Sequence, residues 1–152
     1  MFPYFKLSKN IQFLSLILLL GYFINLQPCT AQQIAKQSIV KTDYLIYTPP
    51  GYDSKIDKKW PLMINLHGSD ANVTIETLRS AFLPNLIASG KDFPMLIANP
   101  ICNKKRGGWN IDILNKMLDD ILDDFSVDED RIYLTGYSMG GYGTWDWVFN
   151  DP

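Results

Sequence analysis

The sequence predicts an α/β fold, a mainly parallel sheet flanked by helices, and three observations carry that prediction. Short apolar runs at 61–66 and 95–98 lack the regular polar alternation of a strand with one wet face, and a third apolar run lies at 131–135. Helical spacing fills the stretches between them, so strands and helices alternate along the chain. Finally, Ser138 lies between Gly136 and Gly140, where the last run gives way to a helical segment.

Taken in order, residues 38–47 read as a strand with Tyr44 and Ile46 among its apolar positions, stopped by Pro49-Pro50-Gly51-Tyr52. After a polar connection at 53–59, residues 61–66 form a buried strand in which Asn65 is the one polar residue. Thr74 opens a helical stretch carrying Leu78, Phe82, Leu86 and Ile87; Pro84 interrupts it, which predicts a kink or two short pieces. Residues 95–98 form the next strand. Over 110–125, Ile111, Leu114, Leu118, Ile121, Leu122 and Phe125 fall on one helical stripe. The acidic cluster Asp119, Asp120, Asp123 and Asp124 is expected on the solvated face opposite, not around a metal. A loop at 126–130, a strand at 131–135 and a helix at 139–149 complete the chain, which contains no internal repeat.

The chemistry concentrates at Gly136-Tyr137-Ser138-Met139-Gly140. A serine hydroxyl is a weak nucleophile and must be presented clear of its neighbours to a base. A sharp strand-to-helix turn achieves this at the cost of a strained serine backbone. Residues two before and two after the serine must then lack side chains, and Gly136 and Gly140 meet that need, with Gly141 and Gly143 relaxing the packing further. Met139 N–H, at the start of the helix, is the expected first oxyanion donor. Upstream, the 61–66 strand runs into His67-Gly68-Ser69, where the chain must turn and offer a second amide; Ser69 N–H is the candidate. His67, the only histidine, precedes the nucleophile in the chain, and its expected role with Gly68 is to brace this loop.

Asp146 lies about two helical turns along the following helix and leads away from the serine, so it is rejected as a triad acid. Tyr137 and Trp109 are either pocket lining or core aromatics. The basic stretch Lys104-Lys105-Arg106 reads as an exposed loop at a strand's carboxyl end.

Both motifs together resemble the secreted esterase and "predicted peptidase" branch of the α/β-hydrolases. That branch resembles feruloyl and acetyl-xylan esterases, polyhydroxybutyrate depolymerases and prolyl-oligopeptidase catalytic domains. The resemblance rests on 44–52, 61–68, 90–94 leading to Pro100, and 127–146, in the expected order. After His67-Gly68 the chain departs from the family, reading Ser69-Asp70-Ala71-Asn72 instead of a Gly- or Arg-bearing loop. The resemblance implies the N-terminal portion of an α/β-hydrolase fold, truncated after the nucleophile elbow. The chain ends at Pro152, fourteen residues past Ser138, so the family's acid and base have no counterpart in it and the chain alone is expected to be inactive. It also implies that the last strand would stand as an open, aggregation-prone edge.

Composition bounds the rest. Lys6 and Lys9 precede an apolar run at 11–24, and Cys29-Thr30-Ala31 offers small residues for cleavage. Residues 1–31 therefore read as a signal peptide and 32–152 as a partial catalytic domain, exported and without a stable membrane span. Without residues 1–31 the chain keeps 12 Lys+Arg against 16 Asp+Glu, a net charge of −4 that argues against nucleic acid. Cys102 is then the sole cysteine, and one cysteine with one histidine cannot build a zinc site. No cofactor or metal is expected. The expected substrate is a small-molecule or polysaccharide-linked ester. Two rivals are a serine peptidase of the prolyl-oligopeptidase type and a non-catalytic binding relic.

Overall fold

The computed structural model describes residues 31–37, 42–55, 57–70, 72–102 and 108–150. The signal-peptide reading of 1–31, apart from Ala31, and the basic stretch at 104–106 lie outside them.

Five strands form one sheet in the order β1-β2-β4-β3-β5. Strand β1 (Gln32–Gln37) pairs antiparallel with β2 (Asp43–Thr48), which pairs antiparallel with β4 (Leu96–Pro100). Strand β3 (Trp60–Leu66) lies parallel to β4 on one side and to β5 (Val127–Gly136) on the other. The strand reading of 38–47 holds over 43–47, its positions 38–41 lie outside the described residues, and a separate strand precedes it. Its residues, Gln-Gln-Ile-Ala-Lys-Gln, carry almost no apolar signal, because an edge strand needs little burial.

Two short helices, α1 (Ile75–Arg79) and α2 (Phe82–Ala88), follow β3. Thr74 caps α1 through a reciprocal pair: its hydroxyl accepts from Thr77 N–H, and its own N–H donates to Thr77 Oγ1 at 2.8 Å. The predicted interruption is real but falls at Ser80–Ala81. Pro84 instead sits in the first turn of α2, where a missing N–H costs nothing. Helix α3 (Ile111–Asp124) buries Leu114, Met117 and Ile121 against the sheet, each worth about 1.5–3 kcal/mol. Helix α4 (Met139–Asn150) buries Gly140, Gly143 and Trp147, and Trp147 Nε1 donates to Asn115 Oδ1 of α3 at 2.6 Å.

Burial on both sheet faces is complete only in β4 and over Tyr44–Thr48 of β2. In β3 it alternates: Leu62, Ile64 and Leu66 face the α3–α4 core, while Met63 and Asn65 are half-buried. Strand β5 begins four residues earlier than expected. Its register slips between Val127, opposite Trp60, and Ile132, opposite Leu62, so the expected loop is an irregular strand start. Asp128 organises it, accepting from Asp130 N–H at 3.2 Å and Arg131 Nε at 2.6 Å. On α3, Asp119 and Asp124 are exposed and pair with Lys116 and Lys36, as a solvated face should.

Tyr44, 1% exposed, is packed into the core near Asp120 and Asp124. Burial, and secondarily those two carboxylates, pushes its hydroxyl up to about 12. The folded state therefore holds this proton more tightly than the unfolded chain. Stability from this site is complete below about pH 10. It is expected to fall as the pH rises from 10 to 12, by a slope that Tyr44→Phe removes in alkaline denaturation curves.

Candidate active site

Strand β5 closes at Gly136 and α4 starts at Met139, leaving two residues to reverse the chain. Ser138 absorbs the reversal with φ of 52°, making it the one non-glycine residue at positive φ among those described. That conformation costs of order 1–3 kcal/mol and persists only where surrounding bonds impose it. Here Tyr137 N–H donates to Leu66 O at 3.2 Å, Gly140 N–H to Tyr137 O at 2.9 Å, and Tyr142 N–H to Ser138 O at 3.1 Å. The side chain of Ser138 stands exposed at the tip.

The flanking glycines are sterically forced. A Cβ on Gly136 would overlap the carbonyl of Gly140, and one on Gly140 would overlap the carbonyls of Leu66 and His67. Both obstacles are backbone and cannot swing aside. Gly143 is needed as well, since its Cβ would lie 2.5 Å from Trp109 Cδ1. Gly141 differs: its Cβ would meet only Gly136 O, at an ordinary 3.6 Å. The looser packing expected from Gly141 is therefore not required.

The loop after β3 abuts this turn. A Cβ on Gly68 would be 3.2 Å from Tyr137 O and 3.5 Å from Ser138 Cβ. His67 fixes the loop through both ring nitrogens. Nδ1 lies 2.6 Å from Gly68 O, a contact that requires an N–H, while Nε2 accepts from Cys102 N–H at 3.0 Å. The ring is thus a neutral Nδ1–H tautomer, packed edge-on with Trp109 at 4.9 Å between ring centroids. With both nitrogens engaged, His67 braces the loop against Cys102. Trp109 in turn rests on Gly143, so brace, core and elbow helix form one packed unit.

Strand order, parallel pairing about β3, and a positive-φ serine between β5 and its helix are now all in place. The chain has the α/β-hydrolase fold. Solved α/β-hydrolases of similar shape include a thermostable esterase (TM-score 0.55, 22% identity, 81% of this chain and 38% of that one). A ferulic acid esterase gives 0.58 and 21%, over 82% and 55% of the two chains. An S-formylglutathione hydrolase from Staphylococcus aureus gives 0.60 and 17%, over 79% and 52%. The chain spans about half or less of each of these structures. No protein-family model matches the sequence, and no curated protein does.

Of the residues read from sequence, the hydrolase fold brings Ser138, Met139, Gly136, Gly140, His67, Gly68 and Ser69 to one end of the sheet. Asp146 lies along α4, exposed, and accepts from Asn150 Nδ2 at 2.9 Å. Trp109 belongs to the core and Tyr137 to the surface, which divides the two aromatics that sequence left undecided. Unforeseen was the approach of Phe82 and Leu83, from α2, to the same end. Nothing in their spacing distinguishes them from ordinary helix residues.

Proposed function

We propose that the complete protein is an exported serine hydrolase of carboxylic esters, with Ser138 as nucleophile. The exposed serine at φ 52° carries this reading, because strain at a solvent-facing nucleophile has no packing benefit to explain it. Ser138 Oγ bonds to the acyl carbon and its proton passes to a base, while the carbonyl electron pair moves onto oxygen. Collapse of that intermediate expels the alcohol, which takes the proton, and water then releases the acyl group from Ser138.

Met139 N–H and Ser69 N–H are the proposed oxyanion donors. Met139 leads α4, where a main-chain N–H has no helical acceptor one turn back. Ser69 N–H is trans to Gly68 O across a planar peptide, so the His67 bond to that oxygen turns the amide the other way. The acid and base are to come from chain outside residues 1–152, and residues 1–31 are to be removed on export. Strand β1 opening at Gln32, directly after the expected cleavage position, supports that boundary.

The structures of similar shape include esterases, which favours ester over peptide substrates. A polysaccharide-linked ester fits the same reading. The complete protein should hydrolyse p-nitrophenyl esters and leave peptide p-nitroanilides intact. Anilide cleavage would favour the peptidase, and inactivity on both would favour a binding relic.

A further inference from the structure

A cavity of about 640 Å³ lies away from the elbow, where β1 and the end of β2 meet the last turns of α1 and α2. None of its lining residues also lines the space around Gly68 and Tyr137. Tyr47 there is level with Ile97, near the start of β4, whereas Ser138 follows the end of β5. Gln32, Gln33, Arg79 and Asp92 supply polar groups to the lining, and Pro50 and Ile87 supply apolar surface. Two of the polar groups are held in place. Gln33 donates from Nε2 to Pro84 O at 3.1 Å, which fixes its carboxamide and leaves the oxygen as an acceptor. Tyr47, 1% exposed, accepts from Phe93 N–H at 3.0 Å, and its hydroxyl stands 3.4 Å from Asp92 Oδ1. Arg79 is exposed and makes no hydrogen bond or salt bridge among the described residues.

We propose that this cavity is a saccharide-binding site, holding a short run of a neutral polysaccharide apart from the Ser138 centre. Charge and the kind of polar group carry the assignment. One guanidinium against one carboxylate leaves the lining without net charge, so a polyanion finds no net attraction there. Carboxamide, carboxylate and guanidinium groups together offer donors and acceptors in planar pairs. Adjacent sugar hydroxyls, each able to donate and accept, match such pairs, and the C–H face of a ring can rest on Pro50 and Ile87. An apolar ligand would instead strip water from four polar side chains without replacing it. The volume falls within the range of about 300–1000 Å³ usual for small-molecule sites. Held there, a polymer bearing an ester would be kept at high effective concentration near the elbow. Binding itself needs no catalysis, so the inference goes beyond the ester-hydrolase reading and stands apart from it.

The test is affinity electrophoresis of the complete protein carrying Ser138→Ala, in native gels cast with soluble arabinoxylan, β-glucan or galactomannan. At least one polymer should retard it. Arg79→Ala and Asp92→Ala in that background should each raise the Kd read from the retardation by roughly tenfold or more, the scale of a lost bond to a charged group. Arg79→Lys, which keeps the charge and loses the planar fork, should fall between. Both side chains are exposed, so the variants should melt with the parent, and lost retardation then reports the site and not unfolding. Retardation by none of the three polymers would overturn the saccharide site. Retardation that survives both alanine substitutions would overturn it too, because the polymer would then be bound elsewhere. With Ser138 restored, hydrolysis of p-nitrophenyl acetate should be unchanged by Arg79→Ala. Retardation in a protein that hydrolyses no ester would strike the ester reading alone and leave the saccharide site in place.

Discussion

Ser138→Ala in the complete protein is expected to lower kcat for ester hydrolysis by about 10⁵–10⁶, the scale seen when the nucleophile of a serine protease is removed. The residue is exposed, so the loss should come with no drop in melting temperature. Indeed the strain argues for the opposite. Ser138→Gly removes a side chain from a positive-φ position and should match or exceed wild-type stability while being equally inactive. Activity and stability moving apart in this way is the signature of strain held for function. A serine that merely decorates a βα turn would show the stability effect alone, with activity unchanged.

Gly140→Ala should be the most damaging single methyl in the molecule. The new Cβ would run into the carbonyls of Leu66 and His67, at the junction of β3, the loop and α4. Relief demands that α4 retreat from the sheet, taking Gly143 off Trp109 and Trp147 off Asn115. We expect a loss of about 3 kcal/mol or more, or failure to accumulate as folded protein, read from urea midpoints and soluble yield. Gly141→Ala, one residue on, is the control. It meets only an ordinary contact and replaces a helical glycine, so it should be neutral or stabilising by up to about 1 kcal/mol. Similar losses in both variants would mean that helix propensity, not the close approach, governs the segment.

These contrasts also show what the chain discloses in one dimension. The elbow was legible because its geometry demands small residues at fixed spacing: Gly136 and Gly140 cannot be anything larger, and Ser138 must follow a strand and precede a helix. The central strands were legible for a related reason, since β4 is buried throughout and its composition must say so. Strand β1 was not, because an edge strand of glutamines and one lysine satisfies its hydrogen bonds with little burial. The start of β5 was hidden too, as Asp128 and Asp130 read as loop residues although Asp128 organises an irregular ladder. The brace was half-visible. A histidine after a buried strand suggested loop support, but one partner, Cys102 N–H, lies 35 residues away and leaves no local trace. The approach of Phe82 and Leu83 to the elbow was invisible, because it exists only once α2 is folded over the sheet end.

All of this hinges on whether the hydroxyl at the tip of the β5–α4 turn is the reactive one. The direct measurement is to treat the complete protein with a fluorophosphonate, digest it, and locate the adduct by tandem mass spectrometry. A single phosphonyl group on the peptide spanning residues 132–145, fragmenting to Ser138, is the expected outcome. An adduct on any other residue, or an unmodified Ser138 in protein that hydrolyses esters, would contradict it.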